Sequence, residues 1–233
     1  MKDLFGQALL DYQNGNYKED IITSTSISDD DLLPIPYLFR SYNEMPKLEQ
    51  KALDLAFGNV LDVGCGAGSH SLYLQNAKRL DVKAIDISIG AIEVCKKRGV
   101  KNAQILDVLK ETVQFDTILL LMNGTGVFQE LKYVTKYLVH LKSLLKPNGQ
   151  ILIDSSDIIY MYENEDSGYF INENGNYYGE LEYYVNYKGK KENPFKMLYM
   201  DFKLLKNACF ALGLKCKMLA EGEHYDYLAK IYI

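Results

Sequence analysis

Tryptophan is absent from this 233-residue sequence, histidine occurs three times and cysteine four times. The cysteines, Cys65, Cys95, Cys209 and Cys216, contain no C-x-x-C pair, and no histidine clusters with them. That spacing argues against a structural zinc site, so no metal is expected and the thiols are predicted to be free. Long apolar runs are missing as well. A membrane span needs about 18 or more consecutive apolar residues, and the longest candidates, such as 117–122, read as buried strands. The amino terminus shows no apolar stretch with a small-residue cleavage site, so a secretory signal is not expected and a cytoplasmic location is. Basic residues number 26 against 31 acidic ones, a net charge of −5. An extended phosphate-binding face usually carries a basic excess, so nucleic acid is not an expected partner.

What is present is an ordinary globular composition, with 48% hydrophobic and 24% charged residues. A chain of this length buries roughly 70% of its unfolded surface, so it has material for a core without staples. Tyrosine is plentiful, at 19 residues, with many between 160 and 199. Two readings fit that cluster: a strand-rich segment, which tyrosine favours, or the wall of an aromatic pocket.

The chain divides into three. Residues 1–56 look helical and irregular, with Pro34, Pro36 and Pro46 as punctuation. Pro46 suits the first turn of a helix through Leu48, Ala52 and Leu55. Residues 57–155 alternate strand and helix: strands at 59–63, 82–87, 103–106, 115–122 and 151–154, with helices between. Ser88 is placed to cap one helix and Gly99 to end it. Leu131, Val134, Leu138, Leu141 and Leu145 mark the buried face of another. Alternating strands and helices predict a doubly wound α/β sheet with mostly parallel strands. An insert at about 158–198 contains Lys188-Gly189-Lys190-Lys191, which suggests a hairpin or a small added sheet.

In such sheets ligands sit at the carboxyl ends of the strands. Those ends carry Asp62, Asp86, Asp107, Asn123 and Asp154 to Asp157. The first opens Asp62-Val63-Gly64-Cys65-Gly66-Ala67-Gly68, between a strand and a helix. Glycines let the loop turn sharply and let a ligand approach the backbone, and amides at the helix start can donate to it. The spacing is G-x-G-x-G, and Ser69 stands where the dinucleotide fingerprint G-x-G-x-x-G has its last glycine. Asp86, followed by Ile87, can accept both hydroxyls of a ribose. Asp107, followed by Val108, can accept from an adenine amino group, or can simply cap the next turn.

These segments, in this order, resemble the class I S-adenosylmethionine-dependent methyltransferases. The likeness runs from about residue 59 to 154 and includes Leu145-Lys146-Pro147-Asn148-Gly149-Gln150, similar to the turn before the family's fifth strand. It implies a seven-stranded sheet whose last two strands are 214–219 and 225–233, the last of them antiparallel to the others, and S-adenosylmethionine as cofactor with S-adenosylhomocysteine as product. It implies cofactor contacts from Asp62, Gly64, Cys65, Gly66, Gly68, His70, Asp86, Ile87, Asp107, Val108 and Asn123. It also implies an amino-terminal lid over the cofactor, and a small or medium-sized methyl acceptor whose pocket the insert shapes. Asn123-Gly124-Thr125-Gly126 departs from the Asn-Pro-Pro-Tyr-like motif of enzymes that methylate amino groups of bases, DNA or glutamine, which argues against those acceptors.

The family has no universal catalytic group, so acceptor-side candidates rest on position. They are Tyr37, Arg40, Asp157, Tyr160, Tyr178 and His224, with Tyr184 as a further aromatic and Asp154 flanking the same serines as Asp157. Arg40 suits a carboxylate of cofactor or substrate, or a surface ion pair. His224 suits a general base by its ordinary pKa, or is structural. Two alternatives remain: a protein of this fold without methyl transfer (a regulatory binder or an aminopropyl-type transferase) and a nicotinamide-dependent oxidoreductase. The loop spacing and the Asp86–Asp107 pair speak against the latter.

Overall fold

The computed structural model describes residues 2–164, 168–169 and 177–233. The chain begins with helix α1 (Leu4–Gln13), a hairpin of β1 (Ile21–Thr25) and β2 (Ser28–Leu33), and helices α2 (Ile35–Leu38) and α3 (Lys47–Leu55). The alternating part follows as β3 (Asn59–Val63), α4 (Ser69–Asn76), β4 (Asp81–Asp86), α5 (Ile89–Arg98), β5 (Ala103–Ile105), β6 (Phe115–Leu120), α6 (Val134–Ser143) and β7 (Leu145–Ser156). The insert carries the short β8 (Glu163–Asn164) and β9 (Gly168–Tyr169), then β10 (Glu180–Tyr187), β11 (Lys190–Lys191) and β12 (Phe195–Leu198). Helix α7 (Phe202–Ala211), β13 (Lys215–Glu221) and β14 (Asp226–Tyr232) close the chain.

Seven strands form the main sheet in the order β13-β14-β7-β6-β3-β4-β5. Pairs among β3 to β7 are parallel, and β14 runs antiparallel to both β7 and β13. The central strands are covered on both faces, which is why they read as continuous apolar runs. On one face Ile118, Leu120, Ile151 and Ile153 pack with Leu138 and Leu141 of α6 and Leu205 of α7. On the other, Leu119, Leu152 and Leu228 pack with Leu48, Ala52 and Leu53 of α3 and Leu74 of α4. The sheet is the expected one, with its single reversed strand at the expected place.

The amino-terminal segment is helical at α1, α2 and α3, and it also carries a hairpin that helical patterning does not foresee. All of Ile21 to Thr25 but Ser24 are β-branched, a composition that favours a strand. Thr25 and Ser28 close its turn, their hydroxyls 2.9 Å apart. This hairpin joins the insert in a second sheet, β11-β10-β1-β2, with β12 on β10. Neither part covers its apolar face alone. Leu9, Ile21, Val185 and Tyr187 become buried only together, against Ala91 and Val94 of α5. At 188–189 the insert turns through two positive φ values, 51° at Lys188 and 67° at Gly189, the tight hairpin the sequence suggests.

Candidate active site

Five features line the carboxyl ends of β3, β4, β5, β6 and β7. The glycine loop is held by its own backbone. Gly64 N and Cys65 N both donate to Ile85 O of β4, and Gly68 N to Cys65 O. Gly64, Gly66 and Gly68 adopt φ values of 71°, 52° and 80°, the left-handed region that disfavours side chains. A Cβ at Gly64 or Gly66 would meet nothing within 4 Å, whereas one at Gly68 would lie 2.9 Å from Cys95 Sγ. The first two glycines thus border open space, and the third lets α5 approach. Asp62, buried beneath the loop, accepts from Ser71 Oγ of α4, and burial pushes its carboxyl above the usual range. It supports the loop from behind. Cys65 and Cys95 are free thiols, with Cys95 donating to Gly66 O.

Asp86 stands at the end of β4 beside this space. Its two oxygens accept from Gly66 N at 3.0 Å and Ser88 N at 2.9 Å. Burial raises its carboxyl against the pull of those amides. The carboxylate is therefore aimed before any ligand arrives and keeps lone pairs for one. Ile87 beside it is exposed, 76%. Asp107 caps the turn through Val108 by accepting from Leu109 N, so the capping reading holds for one oxygen.

Past β6 the chain makes a strained turn. Met122 and Asn123 both have positive φ, 65° and 60°. Two such non-glycine residues in succession are costly and need external support. Asp154 at the end of β7 provides it, accepting from Met122 N at 2.9 Å and Gly124 N at 2.8 Å. Burial drives the Asp154 carboxyl up to about 6 despite these amides, with Glu49 adding to the rise and His70 opposing it. The Asn123 amide turns inward, its oxygen accepting from Thr125 Oγ1 and Ser155 Oγ.

A buried ion cluster ties the amino-terminal segment to the glycine loop. Glu49 of α3 takes Arg40 at 2.5 Å and His70 Nε2, in the first turn of α4, at 2.6 Å. Burial would raise the Glu49 carboxyl, but His70 and Arg40 together hold it below the usual range. Arg40 also lies 4.0 Å over the Tyr37 ring and donates to Tyr37 O. Arg98 reinforces the seam, donating to Ala67 O of the loop and to Phe39 O. Arg40 and His70 are thus engaged with Glu49, a partner the sequence reading did not single out. Arg40 Nε stays buried without a partner among the described residues.

A cleft of about 320 Å³ opens between the two sheets. Thr23, Ser24, Thr25, Ser28, Asp29 and Asp31 come to it from the hairpin; Ser156 from the end of β7 and Tyr160 from beyond it; Tyr183 and Tyr199 from the insert and its exit. Of the tyrosines expected here, Tyr160 takes part, stacked on Tyr225 at 4.9 Å. Tyr178 donates to Asp157 Oδ1 at 2.8 Å, and that pair does not line the cleft. Tyr184 faces away and bonds Glu182. Tyr183 and Tyr199 were missed. Alternation from Leu181 and Val185 marks Tyr183 as inward-facing, but nothing local marks Tyr199. His224 lies exposed in the β13–β14 turn, where its backbone N–H bonds Asp226.

Comparison with known proteins accords with this geometry. A family profile described as a methyltransferase domain matches residues 57–212. The chain is similar to an S-adenosylmethionine-dependent methyltransferase from Bacteroides fragilis solved with S-adenosyl-L-homocysteine: 40% identity, 100% of this chain and 95% of that one covered, TM-score 0.92. The sugar N-methyltransferase KedS8 from Streptoalloteichus shares the fold at 15% identity, with 90% of this chain and 96% of that one covered and a TM-score of 0.59. DesVI from Streptomyces venezuelae shares it at 16% identity, covering 85% and 95%, with a TM-score of 0.57. No curated protein matches the chain. The fold and loop define a class I S-adenosylmethionine-dependent enzyme. The chain belongs to the methyltransferase-domain family and transfers methyl groups from S-adenosylmethionine, which it leaves as S-adenosylhomocysteine.

Proposed function

We propose that this methyltransferase holds its cofactor on the glycine loop and methylates a small molecule in the cleft between its two sheets. The observation that carries this reading is the pair of open positions at Gly64 and Gly66, left-handed backbone facing free space beside a preset Asp86 carboxylate. The residues fit the group. Asp86 and Ile87 would take the ribose side, Asp107 and Val108 the adenine side, and Gly64 to Gly68 the methionine side. Arg40, whose guanidinium is spent on Glu49 and Tyr37 O, supports the amino-terminal segment rather than the cofactor's carboxylate. When bound, the cofactor supplies a methyl on a positively charged sulfur, already activated for displacement.

The protein's part is then alignment and exclusion of water. Asp62 fixes the loop from below, and the Arg40–Glu49–His70 cluster holds the amino-terminal segment against it as a lid. Asp154, at the junction of loop and cleft, orients the attacking group and accepts its hydrogen bond. Titration of the protein with S-adenosylhomocysteine tests the assignment. Gly66→Ala places a methyl in the cofactor's space, and Asp86→Asn sets an amide N–H against Gly66 N or Ser88 N. Each variant is expected to weaken binding about tenfold or more. Wild-type affinity in both would overturn the assignment.

A further inference from the structure

We infer that the acceptor is an amine, received in the inter-sheet cleft by the carboxylates of Asp29 and Asp31 and the rings of Tyr160, Tyr183 and Tyr199. The inference rests on the cofactor placement above and adds the substrate class to it.

Position comes first. Ser156 lines the cleft, and Asp154 lies two residues before it on β7, so the two share a face of the strand. Tyr199, another lining residue, has its phenol raised to about 12, mainly by burial and then by its neighbours Tyr183 and Tyr160, with Asp154 a smaller influence. The cleft thus ends, at Ser156, on the face of β7 that carries Asp154 one pleat away. Its volume of about 320 Å³ is at the small end of ligand sites.

Charge comes second. Among the described lining residues there are two carboxylates and no lysine, arginine or histidine, although the chain has 26 lysines and arginines. Asp29 and Asp31 are two apart on β2 and both line the cleft while Asp30 does not, each at its solvent-exposed mouth. Asp31 spends one oxygen on the N–H of Leu32 and keeps the other. An anionic acceptor would be repelled here, and a neutral one would gain hydrogen bonds from its hydroxyls but no charge attraction. An ammonium gains from both and from the aromatic faces, to which cations are attracted. The threonine and serine hydroxyls of the hairpin suit hydroxyl or ether groups on the same molecule.

The chemistry closes. The entering ammonium first loses one proton to solvent. The nitrogen lone pair then attacks the methyl carbon; a C–N bond forms, the C–S bond breaks, and its electron pair remains on sulfur as a neutral thioether. The methylated nitrogen leaves as an ammonium or sheds a further proton to water. Asp154 accepts an N–H hydrogen bond and so points the lone pair at the methyl.

The test uses matched probes: glucosamine beside glucose, tyramine beside tyrosol, and ethanolamine beside ethylene glycol. Each is offered with S-adenosylmethionine while S-adenosylhomocysteine release is followed. Each is also titrated into S-adenosylhomocysteine-loaded protein by thermal shift. The expected result is that turnover and stabilisation occur with amines and not with their alcohol partners. The double variant D29N/D31N should raise the KM of the responding amine about tenfold or more, with S-adenosylhomocysteine affinity unchanged. Response to an alcohol in preference to its amine, response to none of the three amines, or indifference to the double variant overturns the proposal. If the wild-type protein fails to bind S-adenosylhomocysteine, the cofactor placement falls and takes this inference with it; cofactor binding without an amine preference defeats the inference alone.

Discussion

Asp154 is the residue in which burial, strain and position meet. Its raised pKa means the folded chain holds this proton between the ordinary carboxylate range and about 6, where the unfolded chain has released it. Its contribution to stability therefore falls as pH rises through that window. The ionised fraction, which accepts the acceptor's hydrogen bond, grows across the same window. The charged and titratable groups around it are Glu49, His70, Tyr37, Tyr199 and Tyr227. The rate of methyl transfer should rise with pH through about 6, and Asp154→Asn should abolish that limb; an unchanged profile in the variant would assign the limb elsewhere. Glu49 gives a second prediction. Glu49→Ala leaves Arg40 buried without its counter-ion, a change expected to cost about 3 kcal/mol or more. Chemical denaturation would show it, and a loss under 1 kcal/mol would mean that Arg40 finds water or another partner. The sequence marked Arg40 and His70 but not what binds them, because the pairing depends on how α3 and α4 lie across the sheet. The glycine loop was legible because its requirement is local: φ values that only glycine adopts freely.

Among the elements, α1 and α5 cross in close backbone contact. A Cβ on Gly90 would fall 2.4 Å from the backbone of Gly6. Asp3 binds both helix starts, accepting from Gly6 N, Gly90 N and Ser88 Oγ. Gly90→Ala should cost about 1–3 kcal/mol through overpacking, read as a fall in Tm of about 2–4 °C for each kcal/mol at this chain size. A neutral substitution would show that α1 is free to shift. The seven strands of the main sheet and its one reversed strand could be read from alternation and family likeness. The second sheet could not, because it joins residues 21–33 to residues 180–198 and neither half signals the other. The inward set of tyrosines followed from that register. A one-residue change of register exchanges Tyr183 for Tyr184, which is why abundance of tyrosine did not reveal which ring faces the cleft.

At the scale of the molecule, the two sheets divide the labour. The seven-stranded sheet presents the cofactor loop, and the smaller one, half amino-terminal and half insert, forms the far wall of the cleft. None of the described helices is long and apolar enough to cross a membrane. Because the amino-terminal segment is bonded both to the loop and to the insert, the proposed cofactor and acceptor sites are mechanically joined. Ligand that binds only the folded state stabilises it by mass action, so saturating S-adenosylhomocysteine should raise the Tm of the whole chain in a single transition. Two separate transitions, with only one shifted, would mean the sheets melt independently.

The central claim is that the glycine loop and Asp86 form the cofactor site. Calorimetric titration of the purified protein with S-adenosylhomocysteine, repeated with Gly66→Ala and Asp86→Asn, tests it most directly. The account predicts one site per chain in the micromolar range or tighter, weakened about tenfold or more in either variant. Binding that both variants leave intact, or no binding to the folded wild-type protein, would contradict it.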